Sequence, residues 1–357
     1  MKTGIIGLPQ VGKTSLFKIL TRAHLDAHGN PREAHLGVAR VPDQRLDKLA
    51  ALYHPRKTVH ASLEYVDVAA IGQEALKETA YASSLRNVDA LAHVIRAFDD
   101  PSIAHVGEIN PQRDLRNVDF DLMVNDLGQM EKRLERVEKD LKKMRSPDLE
   151  KEHGLLLRAK AHLEKELPLR EMEMTPEDKK RLRGFMFLSE KPLLAVLNLS
   201  ETADLGAALE GAAARFGLAA AGPQAAVTAV CGKVEAELAE MSDAEAADFL
   251  SSYGLQESGL VRLIRKTYEL LGLISFFTVG EDECRAWTVP RGSRAVDCAG
   301  AIHSDLAQHF IRAETIRWDA LLAAGSEAGA RAAGTLRLEG KDYIVHDGDV
   351  VHIRHSG

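Results

Sequence analysis

Two glycines, a lysine and two hydroxyl residues lie close together near the start of the chain, within residues 7–15. Their order fits the pattern G-x-x-x-x-G-K-[ST], in which glycines let the backbone curl around phosphate groups. In that pattern Lys13 contacts the β- and γ-phosphates and stabilises their charge, and the Thr14 hydroxyl binds Mg²⁺. We call this stretch the phosphate loop, and its predicted nucleotide-binding residues are Gly7, Pro9, Gln10, Val11, Gly12, Lys13, Thr14 and Ser15.

The residues on either side of the phosphate loop are those of a strand and a helix. Residues 4–6 form a short apolar run suited to a buried parallel strand, and the apolar positions of residues 16–20 suit a helix. A helix N-terminus offers free backbone N–H groups and the positive end of its dipole to an anion. The alternative is a glycine-rich turn with a solvated lysine, and the flanking strand and helix favour nucleotide binding.

The next predicted strand, at residues 62–68, contains an aspartate. Asp67 lies near the carboxyl end of that strand, where ligands bind in doubly wound sheets. We therefore predict that Asp67 is the second contact of the Mg²⁺ ion after Thr14, through a water molecule. The alternative is an aspartate that only caps the following turn.

The segment from Thr21 to Arg40 is polar and rich in histidine, and we predict a loop there. Phosphate-loop NTPases usually supply a threonine to the metal from this region, but no threonine occurs between Thr21 and Thr58. His28 and His35 are reserve candidates for a catalytic or metal-binding role. The alternative is an exposed loop without such a role.

The segment after Asp67 also departs from the usual NTPase pattern D-x-x-G. Ala70 occupies the glycine position, and Ile71 occupies the position where a glutamine usually orients the attacking water. An isoleucine cannot orient water, so the water-positioning residue stays unidentified. We therefore predict slow hydrolysis by this chain.

Apolar residues recur every seven positions from about Val118 onward, which is typical of a coiled coil. The seam consists of Leu127, Leu134 and Leu141 and, offset by three, Met130, Val137 and Met144. After the break at Ser146 and Pro147, a second helix carries Leu149, Leu156 and Leu163. We predict an antiparallel helical hairpin at residues 118–185, whose first helix is roughly 35–40 Å long.

The remaining segments predict the rest of the fold. Residues 192–199 and 224–230 are apolar strands that continue the α/β domain, so residues 1–117 and 186–272 would form one α/β domain around the inserted hairpin. Residues 273–357 contain several short strands, one predicted helix at 303–309 and a predicted β-hairpin around residues 347–349. The predicted class is α/β, with a small C-terminal α+β domain.

Composition restricts the class of protein. The chain has 357 residues, 45% of them hydrophobic, and a net charge of −7, which argues against coating nucleic acid by bulk charge. Its three cysteines show no metal-binding or disulfide spacing. The first strand follows Met1 almost directly, and no apolar run reaches about 18 residues, so we expect no signal peptide, no membrane span and a cytoplasmic location.

Over almost its whole length, the chain resembles the YchF/Obg-like ATPase family of translation-factor-related P-loop NTPases. Residues 7–13 are similar to the family's G-L-P-N-V-G-K, with Gln10 in place of asparagine, and residues 41–46 resemble its V-P-D-x-R-L. Residues 198–201 match its N-x-x-E. Residues 286–288, 338–343 and 347–350 look like its C-terminal ubiquitin-like TGS domain. The resemblance implies a G domain with an inserted coiled coil, a preference for ATP over GTP, and binding to the ribosome or ribosomal RNA.

The same resemblance identifies residues near the nucleotide base. GTPases carry N-K-x-D, whose aspartate accepts two hydrogen bonds from guanine; here Leu199 replaces the lysine, and Glu201 is one methylene longer than aspartate. Guanine recognition should therefore weaken. Asn198 can still connect the strands of the site, and the backbone of Cys231 and Gly232 should lie near the base. The predicted base-side residues are Asn198, Leu199, Glu201, Cys231 and Gly232.

Three functions are compatible with these observations. The first, which we favour, is a slow, ribosome-associated ATPase that uses Mg²⁺ with ATP or GTP and acts as a monomer. The second is a nucleotide-binding interaction module without hydrolysis, which the altered segments around Ala70 and after Thr21 favour. The third is a scaffold that needs no nucleotide, which the intact phosphate loop disfavours.

Overall fold

The computed structural model describes residues 1–22, 35–104, 107–144, 146–202, 204–218, 222 and 224–356. The described residues form a mixed α/β fold with two six-stranded sheets. Within them, no helix is both long and apolar enough to cross a membrane.

The strands fall into the two sheets and are numbered along the chain. They are β1 (Lys2–Ile6), β2 (His35–Arg40), β3 (Lys57–Val59), β4 (Ser62–Asp67), β5 (Ala90–Ala97), β6 (Leu193–Leu199), β7 (Ala225–Val230), β8 (Leu273–Thr278), β9 (Glu283–Pro290), β10 (Phe310–Arg317), β11 (Arg337–Glu339) and β12 (Asp349–His355).

The helices range from a single long rod to short turns. They are α1 (Lys13–Thr21), α2 (Gln44–Tyr53), α3 (Gln73–Lys77), α4 (Thr79–Arg86), α5 (Pro111–Lys143), α6 (Pro147–Leu163), α7 (Pro176–Leu182), α8 (Leu205–Arg215), α9 (Gly232–Ala239), α10 (Asp243–Ser252), α11 (Gly259–Leu270), α12 (Ala295–Ile302), α13 (Ser304–Gln308), α14 (Trp318–Ala324) and α15 (Glu327–Ala332), with 3₁₀ turns at Leu169–Glu171 and Arg183–Phe185.

The first sheet has the strand order β2-β4-β1-β5-β6-β7. Strand β1 pairs in parallel with β4 on one side, where Ile5 is opposite Asp67, and with β5 on the other, where Ile6 is opposite His93. Strands β5, β6 and β7 are also parallel. The chain therefore changes direction across the sheet at β1, and such a switch point is where ligands bind in open α/β sheets.

The long helix α5 contributes residues to two hydrophobic cores. In its first half Val118 and Leu122 pack with residues of the sheet such as Ile6. In its second half the predicted seam residues Met130, Leu134 and Val137 pack against α6, together with Leu155, Leu156, Ala159 and Leu163. Ion pairs between Glu131 and Lys160 at 2.9 Å and between Glu138 and His153 at 3.4 Å establish that α5 and α6 are antiparallel.

The predicted helical hairpin is thus confirmed, but its first helix is longer than predicted. It begins at Pro111, with Asn110 as its N-cap, and its 33 residues span roughly 50 Å. The heptad pattern does not reveal the first turns because those residues pack on a sheet instead of on a partner helix.

The second sheet has the order β11-β10-β12-β8-β9-β3. Strand β10 is antiparallel to β11 and β12, and β12 is parallel to β8. In its core, Phe276, Val289 and Ile353 of the strands pack in one cluster with Cys298 of α12. On α2, Asp43 caps the helix, and the Arg45 guanidinium donates to both Asp43 and Asp347.

The prediction of a loop across residues 21–40 is wrong for its last part, because His35–Arg40 forms β2. A Cβ on Gly37 would lie 2.5 Å from Cγ2 of Thr21, so the close approach of β2 to the end of α1 needs glycine. His24 and His28 lie outside the described residues.

Two further predictions for the C-terminal part need correction. The predicted β-hairpin around residues 347–349 is wrong, because β12 pairs with β10 and β8. The Asp349 carboxylate instead accepts hydrogen bonds from the His346 amide at 2.9 Å and the Tyr343 hydroxyl at 2.8 Å, which fixes a turn without a strand ladder. The sequence prediction also missed α12, α14 and α15, and the helix predicted at 303–309 corresponds to the shorter α13.

Contacts divide the chain into two compact units. One comprises residues 1–38 and 64–270, and the other comprises residues 39–63 and 271–357. The hairpin groups with the first sheet, and residues 39–63 group with the C-terminal sheet, to which β3 contributes an edge strand. The three-domain boundaries given above stay a prediction.

A buried carboxylate fixes the hairpin to the segment that leads back to β6. Asp126 on α5 is 0% exposed, and its two oxygens accept the Leu188 and Ser189 amides at 2.9 and 2.7 Å. Burial raises the pKa of this carboxyl group to about 6. Both amides therefore depend on Asp126 as their hydrogen-bond acceptor.

We expect Asp126→Ala to lower the free energy of unfolding by about 2–4 kcal/mol, because two buried N–H groups would lose their acceptor. Urea unfolding followed by circular dichroism measures the change. The matched control is Asp140→Ala on the same helix, whose exposed ion pair with Lys143 at 3.9 Å should contribute only a few tenths of a kcal/mol. Equal effects of the two substitutions would contradict this account.

Candidate functional site

The predicted site residues meet at one edge of the first sheet, where its parallel strands end. The phosphate loop follows β1, Asp67 ends β4, Asn198 lies near the end of β6, and Gly232 follows β7. Because these strands are parallel neighbours, their carboxyl ends share an edge, which we call the carboxyl edge.

The phosphate loop needs its glycines for conformation and for space. Gly7 and Gly12 have φ angles of 148° and 98°, which side chains rarely adopt. A Cβ on Gly7 would lie 2.4 Å from the Val94 carbonyl oxygen, and one on Gly12 would lie 2.6 Å from Nδ2 of Asn198. Gln10 also has a positive φ, 60°. The loop side chains of Pro9, Thr14 and Ser15 are exposed, whereas Val11 is buried.

The Lys13 ammonium group lies inside the loop. It is 7% exposed and donates a hydrogen bond of 2.7 Å to the Leu8 carbonyl oxygen. Burial lowers its pKa to about 8, and the negative charge of Asp67 opposes that shift. A partly desolvated cation held by one neutral carbonyl is well suited to exchange that partner for an anionic phosphate.

Asp67 and Thr14 provide oxygen atoms of the kind that Mg²⁺ prefers. Asp67 is 6% exposed, and its Oδ1 atom is buried without a hydrogen-bond partner. Burial raises the pKa of the Asp67 carboxyl group, while the Thr14 hydroxyl, Lys13 and His35 act in the opposite direction. The unpartnered Oδ1 beside a threonine hydroxyl fits a hydrated Mg²⁺ ion.

The described residues contain no group of three or more histidine, cysteine, aspartate or glutamate side chains that could hold a metal by themselves. A Mg²⁺ ion at Thr14 and Asp67 would therefore need phosphate oxygens and water to complete its coordination, as is usual for this ion.

Asn198 connects the two halves of the carboxyl edge. Its Nδ2 donates to the Val11 carbonyl oxygen at 3.0 Å, and its Oδ1 accepts the Gly232 amide at 2.9 Å. A Cβ on Gly232 would lie 3.2 Å from Oδ1 of Asn198, so a side chain there would be crowded. The predicted role of Asn198 as the link between strands has this structural basis.

Glu201 is held by two neighbours that the sequence analysis did not single out. Its Oε2 accepts the Lys233 ammonium at 2.6 Å, and its Oε1 accepts the Tyr253 hydroxyl at 2.5 Å. These two partners lower the pKa of the Glu201 carboxyl group, with Lys233 the larger cause. Lys233 adjoins the predicted Gly232 and could have been noticed, but no local pattern marks Tyr253.

Besides Asn198, two predicted base-side residues have buried side chains. Leu199 is 6% exposed and Cys231 is 1% exposed, and both pack in the hydrophobic cluster with Leu205 and Val234. A buried leucine is not available to contact a base, so the Leu199 side chain supports the strand instead. For Cys231 the expectation concerned the backbone, which leads directly into Gly232.

The segment after β4 packs tightly on the phosphate loop. The Ile71 amide donates to the Gly7 carbonyl oxygen at 3.1 Å, and the Ile71 side chain is 3% exposed within the sheet core. The Tyr81 hydroxyl also donates to the Ala69 carbonyl oxygen at 3.0 Å. Ile71 therefore has a structural role at the position where other NTPases orient water.

Of the two histidine candidates, only His35 lies within the described residues. His35 begins β2 and is close enough to Asp67 for its charge to favour the ionised carboxylate. His28 lies outside the described residues.

Comparison with known proteins adds a separate observation. A family model named YchF-GTPase_C, described as "Protein of unknown function (DUF933)", matches residues 273–356. The chain is 42% identical to a Bacillus subtilis (strain 168) protein named "Ribosome-binding ATPase YchF", with 99% of each chain covered. It is 38% identical to the protein of that name from Escherichia coli O157:H7, with 98% of each chain covered.

The fold agrees with the sequence comparison. The solved structure of the Schizosaccharomyces pombe YchF GTPase has a TM-score of 0.84 and 29% identity, and it covers 99% of this chain and 97% of its own. This similarity confirms the predicted fold class, a P-loop domain followed by a C-terminal domain. Since relatives this similar align along nearly the whole length, the chain belongs to the YchF family.

Proposed function

We propose that this protein binds Mg²⁺-ATP at the carboxyl edge and hydrolyses it slowly in association with the ribosome. The observation that supports this most directly is the phosphate loop itself, with a desolvated Lys13 inside it and Asn198 bracing it from outside. The bacterial relatives are named ribosome-binding ATPases, which supports the same activity here.

The residues of the loop would act on the phosphates directly. Loop amides at the N-terminus of α1 would donate to phosphate oxygens, and Lys13 would leave the Leu8 carbonyl to neutralise charge on the β- and γ-phosphates. Thr14 and Asp67 would hold Mg²⁺, which when bound neutralises charge between the β- and γ-phosphates. Ile71, which occupies the position of the usual glutamine, is buried and cannot orient water. Binding should therefore be efficient and hydrolysis slow.

The preference for adenine over guanine would follow from the hydrogen bonds of Glu201. The Glu201 carboxylate already accepts hydrogen bonds from Lys233 and Tyr253, which leaves it poorly placed to accept two more from guanine. ATP should consequently bind at least as well as GTP, although the pocket need not exclude GTP.

The proposed partners and location are supported by the names of the relatives. The names of the relatives favour the ribosome or its RNA as the macromolecular partner, and a ribosome-bound protein would be cytoplasmic. The proposal includes a monomeric protein and a ubiquitin-like TGS fold for the C-terminal region. A nucleotide-binding module without hydrolysis, the second function considered above, is not favoured because the relatives are named as ATPases.

The first test concerns Lys13. Lys13→Ala should weaken ATP binding by about tenfold or more, because a charge-assisted contact contributes roughly 1.5–3 kcal/mol. Calorimetry measures the affinity, and Lys18→Ala on the same helix is the matched control, because Lys18 is exposed. If Lys13→Ala bound ATP with unchanged affinity, the proposal that ATP binds at the phosphate loop would be contradicted.

The lowered pKa of Lys13 predicts how ATP affinity depends on pH. The pKa of Lys13 without nucleotide is about 8, and bound phosphate should raise it. Above pH 8 binding therefore requires proton uptake, so affinity should fall as pH rises through 8 and stay nearly constant below it. Lys13→Ala should lack this decline.

A further test concerns the base. Glu201→Asp shortens the carboxylate side chain to that of the GTPase motif, and it should raise GTP affinity relative to ATP. Because Leu199 is buried, we leave it unchanged. Competition binding with both nucleotides measures the ratio, and a wild-type protein with a strong preference for GTP would contradict the proposed base site.

The last test of the proposed function concerns hydrolysis. Single-turnover ATP hydrolysis with and without ribosomes should be slow in the isolated protein, and Asp67→Asn should lower the rate or the Mg²⁺ affinity by about tenfold or more. Glu64→Gln on the same strand, where an exposed ion pair to Lys2 measures 4.0 Å, is the control.

The histidines provide a second comparison in that assay. Replacing His28 and His35 together with alanine should lower the residual rate without lowering ATP affinity. A rate that is indifferent to both histidines and to Asp67 would place the catalytic groups elsewhere.

A further inference from the structure

The cluster around Glu201 has a member whose role the proposed function leaves open. Tyr253 lies at the C-terminal end of α10, distant in sequence from the residues of the carboxyl edge, yet its hydroxyl donates to Oε1 of Glu201 at 2.5 Å. The second oxygen of the same carboxylate accepts the Lys233 ammonium at 2.6 Å. Both oxygens of Glu201 therefore have protein partners.

The position of the Tyr253 ring is fixed from several directions. The ring lies 5.1 Å from the ring of Phe249, centroid to centroid, and it borders the hydrophobic cluster that contains Leu205. The Tyr253 carbonyl oxygen accepts the Gly206 amide at 3.2 Å. A Cβ on Gly206 would lie 3.2 Å from that oxygen and 2.9 Å from the Gly254 carbonyl oxygen. This close backbone contact fixes the backbone of residue 253. Little further conformational freedom is therefore lost when the Tyr253 hydroxyl bonds to Glu201.

The two partners of Glu201 differ in how well they can hold it. The Lys233 side chain is 68% exposed, and such ion pairs are weak because solvent screens them and the long side chain must be ordered. The Tyr253 hydroxyl is carried by a packed ring, and a hydrogen bond to an ionised carboxylate is stronger than a neutral one. Tyr253 is therefore the partner that decides where the carboxylate points.

Guanine recognition requires a carboxylate whose two oxygens face the base, since guanine offers two adjacent N–H donors. In this chain the oxygens face Tyr253 and Lys233. We propose that Tyr253 is a specificity-determining positioning residue, whose hydroxyl holds the Glu201 carboxylate away from the base and so favours ATP over GTP. The inference rests on the proposed nucleotide site and adds to it a residue outside the N-x-x-E motif.

The test is Tyr253→Phe, which removes the hydroxyl but keeps the ring packed on Phe249. We expect the ratio of GTP to ATP affinity, measured by calorimetry with Mg²⁺, to rise about fivefold or more, since the lost hydrogen bond is charge-assisted. In a Glu201→Gln background, Tyr253→Phe should leave the ratio unchanged within about twofold, because no carboxylate remains to be positioned. Ser251→Ala, which alters a hydroxyl bonded only within α10, is the matched control.

Tyr253→Leu, which also lacks the hydroxyl, should change the ratio in the same direction and covers the case in which the phenylalanine variant folds poorly. An unchanged ratio in a folded variant would overturn the inference. An equal loss of ATP and GTP affinity would also overturn it, since that is the effect of a merely structural residue. Failure of the wild-type protein to bind ATP would instead contradict the proposed function, so the two failures are distinguishable.

Discussion

The carboxyl edge depends on the side-chain amide of Asn198. Its donor holds the phosphate loop at Val11, and its acceptor holds the turn at Gly232, so one side chain links the phosphate side of the site to the base side. An aspartate would lose the donor, and a glutamine would place both groups more than an ångström away. The amide also explains why residue 12 is glycine, because any Cβ there would collide with Nδ2.

This link stabilises a loop that is otherwise unfavourable. The loop contains positive φ angles at Gly7, Gln10 and Gly12, and it encloses a lysine whose charge is partly desolvated. Such conformations and buried charges cost free energy that the surrounding parallel strands must offset. A phosphate would remove part of that cost, since it supplies an anion to Lys13 and acceptors to the loop amides. The strain of the free loop would thus have the same origin as the proposed affinity for phosphate.

Sequence reasoning predicted the phosphate loop, Asp67 and Asn198 because each is marked by a short pattern next to a strand. It failed where structure depends on distant partners. β2 is an edge strand whose Leu36 and Val38 are exposed, so its pattern is weak. The motifs at residues 41–46 and 347–350 were both noticed, but not their contact, which Arg45 and Asp347 make across some 300 residues. The contact of Tyr253 with Glu201 was missed for the same reason.

The burial of Ile71 connects these observations to the rate of hydrolysis. In this structure its amide is already bonded to the Gly7 carbonyl oxygen and its side chain is inside the core, so neither can turn toward a γ-phosphate without loss of those contacts. In the proposed site, nucleotide binding would leave these Ile71 contacts in place. The proposed site therefore predicts that binding and hydrolysis can be separated: Asn198 and Lys13 would serve binding, and the group that positions water would come from outside that segment.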